Sequence, residues 1–207
     1  MGRDLQQRAM AQPAQQGNQP KPLTAQIRTM EKQFELAMPK GMEATQLVRD
    51  ALTCLGQTPQ LAECEQSTVL GALMSCAQLG LRPGVLGQAY LLPLWNSKNR
   101  RREAQLIIGY AGLTELIHRS GAVQMIASRV VYSNDEFMFE YGLAEDKLIH
   151  RPPTSGPRGN PVAFYAIARM KDGGYAMTDV MSVADMEAYR DKYAMAKKKD
   201  GTVVGPW

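Results

Sequence analysis

Apolar positions change their period along this chain, and the changes outline its elements. Between residues 23 and 37, Ile27, Met30 and Phe34 recur at spacings of three and four; between 42 and 54, Leu47, Val48, Ala51 and Leu52 do the same. Such spacing places apolar side chains on one face of a helix and predicts two helices, separated at Pro39–Gly41. A further helical region is predicted over 60–79. Ser67 or Thr68 is expected to cap it, Leu73, Cys76 and Ala77 form its face, and Gly80 closes it.

After the Pro/Gly connection LRPGVLG (81–87) the pattern changes to strands. Two apolar runs, 88–95 and 104–108, flank a polar turn of Asn96, Ser97, Lys98 and Asn99, which predicts a hairpin. Arg100, Arg101 and Arg102 crown it. Gly109 breaks the second strand. Residues 110–119 then read as a short amphipathic helix with Leu113, Leu116 and Ile117 on one face and Gly121 near its end. A third apolar run, 123–132, carries Arg129 in its middle, and 137–141 alternates as a short strand before Gly142. The segment RPPTSGPRGNP (151–161) reads as a long loop. A strand is predicted over 162–171, with Asp172-Gly173-Gly174 as a tight turn and 175–180 as the returning strand. Ser182 and Asp185 have capping-box spacing for a last helix running to about Tyr193. The result is an α+β chain, helical over 23–80 and mixed over 81–207, expected to fold as one domain behind a disordered tail at 1–22 rich in Gln, Ala, Pro and Gly.

Charge adds a direction to this picture. The net charge is only +4, yet residues 96–132 hold six Lys/Arg against two Glu, and later blocks alternate in sign. A basic groove walled by acidic outer surfaces gives this banding, as does a solvated surface of alternating charge. Three cysteines without CxxC spacing read as reduced, buried thiols. No run approaches the roughly 18 apolar residues of a membrane-spanning helix, and no signal-peptide core is present at the N-terminus, so cytoplasmic residence is expected.

Catalytic constellations are poorly represented. Neither GxxxxGK[ST] nor GxGxxG at a helix start occurs, so a nucleotide has no obvious seat. His118 has no nucleophile signature near it. Asp135 and Glu136 could hold Mg²⁺ in a nuclease, although adjacent acids in a turn more often sit in solvent. Nucleic-acid binding fits better, because phosphate neutralisation needs several Lys/Arg on one surface and single strands add aromatic platforms. Tyr90, Trp95, Tyr110, Tyr132, Tyr165 and Tyr193 interleave with the basic blocks. Arg129 and Arg169 each lie inside an apolar strand, where a guanidinium needs either a partner such as phosphate or a solvated face.

Several segments, in order, resemble one family. These are LAECEQSTVLGALMSCAQLGLRP (61–83), GQAYLLPLW (87–95), QLIIGYAGLTELIHRSG (105–121), DEFMFEYG (135–142), His150-Arg151-Pro152 with RGNPVAFYAIARMKDGG (158–174), and GPW (205–207). They resemble the RecT-type single-strand annealing proteins of bacteriophages. The resemblance implies a protein, not an enzyme, that coats single-stranded DNA and pairs it with its complement in homologous recombination, without ATP and with no required cofactor, Mg²⁺ being possible. It implies a homo-oligomer, as ring or helical filament, working beside a phage 5′→3′ exonuclease in the bacterial cytoplasm. The implied fold is a small antiparallel sheet with helices framing a basic groove, similar to the Rad52-like annealing core. Where the family often has Lys within its GY-K-GL motif, this chain has Ala111. The family also continues beyond the Pro-Trp motif, so the region expected to contact host single-strand-binding protein is not in this chain. Expected DNA contacts are Arg82, Lys98, Arg100, Arg101, Arg102, Gln105, Arg119, Arg129, Arg158, Arg169, Lys171, Arg190, Lys192, and Lys197, Lys198 and Lys199 in a basic loop, with Tyr110, Tyr193 and Trp207 stacking or shaping the groove. The rival readings are a passive single-strand protector and, behind it, the Mg²⁺-dependent nuclease.

Overall fold

The computed structural model describes residues 21–142 and 146–194. These gather into two compact units, divided between Leu116 and Ile117.

In the first unit, helices α1 (Leu23–Thr29) and α2 (Glu31–Ala37) follow each other directly. The stretch predicted as one helix is therefore two, jointed at Met30. Next come α3 (Ala44–Gln57), a 3₁₀ turn (Pro59–Glu63) and α4 (Gln66–Leu79). The periodic residues named above become the core: Ile27, Phe34, Ala51, Leu73, Cys76 and Ala77 are fully buried. All three cysteines are free and buried, and burial pushes the Cys76 thiol up to about 12. The capping expectation for α4 needs correction. The helix starts at Gln66 with Glu65 as N-cap, and neither Ser67 nor Thr68 caps it. Thr68 lies inside the first turn, where its hydroxyl donates to Glu65 O and accepts from the Ala104 N–H at 2.9 Å. Gly80 closes the helix in the left-handed region, at φ +59°.

The hairpin consists of β1 (Ala89–Asn96) and β2 (Arg101–Ile108), paired antiparallel from Ala89↔Ile108 to Asn96↔Arg101. One face, with Ala89, Leu91, Ala104, Leu106 and Ile108, packs on the helical core. Both outer edges are occupied. Along β2, Arg102 O accepts the Glu65 N–H and Ala104 N–H reaches Thr68. Along β1, Gly84 N–H bonds Ala89 O, Leu91 N–H meets the Cys54 sulfur, and Pro93 has no N–H to offer. These contacts cover part of each outer edge. Helix α5 (Tyr110–Arg119) follows, and its buried Gly112 lies against the Gln88 carbonyl. Of its predicted apolar face, Leu116 packs on the core while Leu113 is half exposed.

The second unit is built on β3 (Val123–Tyr132) and β6 (Pro161–Met170), antiparallel neighbours; β7 (Tyr175–Met177) and β8 (Met181–Ser182) both pair with the far edge of β6. The returning strand predicted over 175–180 stops at Met177. Thr178 interrupts it: its side-chain oxygen takes the Ala166 N–H in place of a backbone carbonyl. A second hairpin, β4 (Glu136–Glu140) with β5 (Lys147–Arg151), adds a strand that the sequence reading did not foresee. Helix α6 (Val183–Tyr193) begins with the anticipated capping box: Asp185 N–H donates to Ser182 Oγ and Ser182 N–H donates to the Asp185 carboxylate. The class is thus α+β with small antiparallel sheets. Among the described residues, no helix is long and apolar enough to cross a membrane.

Candidate nucleic-acid interface

Asn96 shapes the hairpin tip. Its side-chain oxygen accepts the Lys98 and Asn99 N–H groups at 3.0 and 3.1 Å, turning the chain back. Arg100 completes the turn at φ +51°, an uncommon conformation for a residue with a Cβ. The four cations of the tip then divide. Arg101 is tied to Glu65 at 3.1 Å and Glu103 at 3.0 Å, and Arg102 to Glu63 at 3.2 Å. Glu103 also accepts from Asn99 and Asn96, and these two amides together with Arg101 hold its pKa down at about 2. Lys98 and Arg100 are exposed and make no ion pair among the described residues. Beside them lies an open cavity of about 560 Å³, lined by Trp95, Lys98, Gln105 and their neighbours. Trp95 and Gln105 are exposed, and Gln105 stands opposite Leu92 on the hairpin face turned away from the core.

The register of β3 with β6 settles what surrounds Arg129 and Arg169. Arg129 pairs with Tyr165 and Met125 with Arg169, so both arginines rise from the same face of the sheet. Both are solvent-exposed, and neither makes an ion pair among the described residues. Each guanidinium thus stands on a solvated face of its strand, open to water or to an anionic partner. The other end of that face is covered: the Phe137 ring of the β4–β5 hairpin stacks on Tyr165 at 5.9 Å and packs edge-on to His150. Lys171 follows β6 directly, exposed, its N–H bonded to Ala122 O.

Arg158 is held by a carboxylate. Its guanidinium grips the carboxylate of Asp135 at 3.0 and 2.5 Å, bonds Val130 O, and lies 4.3 Å over the Tyr132 ring. The Asp135 side chain is fully buried and also meets His150 Nε2 at 2.9 Å, while His150 Nδ1 meets the Tyr165 hydroxyl at 3.0 Å. Arg158 first, with help from His150 and the Tyr132 N–H, holds the Asp135 pKa well below the usual carboxylate range. This network fastens the turn after β3 to β5 and β6. The two acids weighed for Mg²⁺ thus each face an arginine, Asp135 facing Arg158 and Glu136 facing Arg151 at 2.9 Å.

The remaining expected contacts are scattered. Arg82 is held by the buried Asp50 through two bonds, at 2.6 and 3.0 Å, and Gln46 supports the same carboxylate. Arg190 pairs with Asp191 at 2.8 Å. Tyr110 is 85 % exposed at the start of α5, and Arg119 is exposed at its end. Lys192 lies 5.1 Å over the Tyr193 ring, which in turn touches Tyr189. Lys197, Lys198, Lys199 and Trp207 lie outside the described residues, as does most of the tail predicted at 1–22. Sequence reasoning passed over Tyr175 and Met125, which flank Arg169 in the sheet. Counting back from the Asp172-Gly173-Gly174 turn would have placed Tyr175 opposite Arg169.

The antiparallel sheet, with two exposed arginines on one face that make no ion pair among the described residues, and, taken separately, the hairpin with its basic tip each offer a surface suited to a polyanion. The model of the RecT family matches this chain over residues 45–207, and the chain belongs to that family. Among its relatives is Protein RecT of Escherichia coli (strain K12), 40 % identical over 183 residues. That alignment covers 86 % of this chain and 64 % of the relative, so the chain spans less than two thirds of that protein's length.

Proposed function

We propose that this chain is an ATP-independent single-strand annealing protein of phage homologous recombination. Membership of the RecT family carries that reading, and the surface chemistry supports it. Arg129 and Arg169 on their sheet face, Lys171 beside it, and Lys98 and Arg100 at the hairpin tip are the first phosphate contacts. The arginines already paired with carboxylates hold the fold. Phosphate contacts fix position without reading sequence, so binding is sequence-blind and pairing specificity comes from the bases. The protein breaks no bond. It aligns a strand whose bases remain free to test an incoming complement, without ATP and with no required cofactor, Mg²⁺ being a possible addition. Copies of the chain assemble as a ring or filament in the bacterial cytoplasm, each with a Rad52-like core and a basic groove. The expected partners are a 5′→3′ exonuclease that exposes the strand and, if the family's C-terminal region is present, host single-strand-binding protein.

Pairing of two complementary oligonucleotides, without ATP and with products run on a denaturing gel, tests this. Faster pairing with intact strands is the expected result. Slower pairing would make the chain a passive coat, and shortened strands would make it a nuclease.

A further inference from the structure

Met125, Arg169 and Tyr175 stand in one row across β3, β6 and β7, on the face that also carries Arg129. Tyr175 is 53 % exposed and Met125 42 %, so both present ring or thioether surface to solvent. The next row along the strands, Ala127, Ile167 and Met177, is a half-buried apolar floor. Beyond it come Arg129 and Tyr165, where the Phe137 ring ends the open part of the face. Arg169 and Arg129 are four residues apart in register, roughly 13 Å along the strand direction. A helically stacked strand rises about 3.4 Å per nucleotide, so that distance spans a few nucleotides. On this face β3, β6 and β7 place no carboxylate, although the chain as a whole has 20 acidic residues.

We propose that this row is a base-stacking subsite for single-stranded DNA: Tyr175 lies against the face of one nucleobase, Arg169 beside it holds the adjoining phosphate, and Met125, on the other side of Arg169, extends the apolar surface. The proposal rests on the reading of the chain as a single-strand annealing protein and names one place where a base is held. The charge of the face suits a polyanion, and the exposed ring and thioether beside Arg169 suit the flat face of a base. A base held by its face keeps its Watson–Crick edge free, as a strand awaiting its complement requires. A second copy of this chain would need carboxylates of its own to meet Arg129 and Arg169.

The test compares the full chain on a short single-stranded oligonucleotide and on an abasic strand with the same number of phosphates, by fluorescence anisotropy. Tyr175→Ala should weaken binding to the base-bearing strand roughly five- to hundredfold, the range of one lost stacking contact. It should leave the abasic strand and the salt slope unchanged, and Tyr175→Phe should restore wild-type binding. Met125→Ala, a second variant on the row, should show the same base-dependent loss in smaller measure. Arg169→Ala should weaken both strands and lower the salt slope by about 0.7. The subsite is overturned if Tyr175→Ala binds both strands like wild type, or loses the same factor on both. It is also overturned if that variant changes only the oligomeric state in sedimentation. If Arg169→Ala weakens binding and Tyr175→Ala does not, stacking fails while the annealing reading stands. A wild-type chain that ignores both strands at low salt overturns both.

Discussion

Two arginines on one sheet face permit a quantitative forecast. Arg129 and Arg169 are exposed and make no ion pair among the described residues, Arg129 donating only to its neighbouring Ser128 O at 3.0 Å, so a phosphate meeting either one displaces no carboxylate. Each such contact on a single strand contributes about 0.7 to the fall of log K with log[salt]. Replacing both by alanine should therefore make the slope shallower by about 1.4. Between 50 and 200 mM salt the wild type should lose roughly sevenfold more affinity than the double variant. Arg158 is the control. Its guanidinium is committed to the buried Asp135 carboxylate, so Arg158→Gln should lower the melting temperature and leave the slope of the folded protein unchanged. The assay is anisotropy of a short labelled strand, titrated at four or five salt concentrations and fitted per protomer. A double variant with the wild-type slope would refute the reasoning, because the two guanidinia would then neutralise no phosphate. An Arg158→Gln variant with a slope shallower by about 0.7 would refute the division between paired and unpaired arginines.

Two further outcomes follow from packing and titration. A Cβ at Gly112 collides with the Gln88 carbonyl oxygen, so Gly112→Ala should destabilise the chain by about 1–3 kcal/mol, read as a lower urea midpoint with an unchanged slope. Glu103 has a folded-state pKa of about 2, below its ordinary 4.5; its contribution is therefore present above 4.5 and is lost as pH falls toward 2. Glu103→Gln should melt lower than wild type at pH 7, and the difference should shrink across that window in thermal melts.

Local signals carried much of the fold. The polar turn at Asn96, the Gly109 break, the Asp172-Gly173-Gly174 turn and the Ser182/Asp185 box each act within a few residues, and each appears where its chemistry placed it. The strand β5 was not legible, because Lys147–Arg151 is five residues long and has only two aliphatic side chains, Leu148 and Ile149. Thr178 ended a ladder through a side-chain bond that propensity does not register. The candidate surface was legible as a set of cations and not as an arrangement. Which arginines are already satisfied depends on partners far along the chain: Asp50 for Arg82, Glu65 for Arg101, Asp135 for Arg158. Likewise, the alternation within β3 and β6 shows each arginine on some face, but only their pairing register shows that it is the same face.

The most direct measurement is the rate at which two complementary oligonucleotides pair in low salt, with the chain present and ATP absent, against the protein-free rate. The account predicts faster pairing with wild type, and a gain largely lost in the Arg129→Ala, Arg169→Ala double variant. Pairing no faster than without protein, or acceleration that survives loss of both arginines, would contradict it.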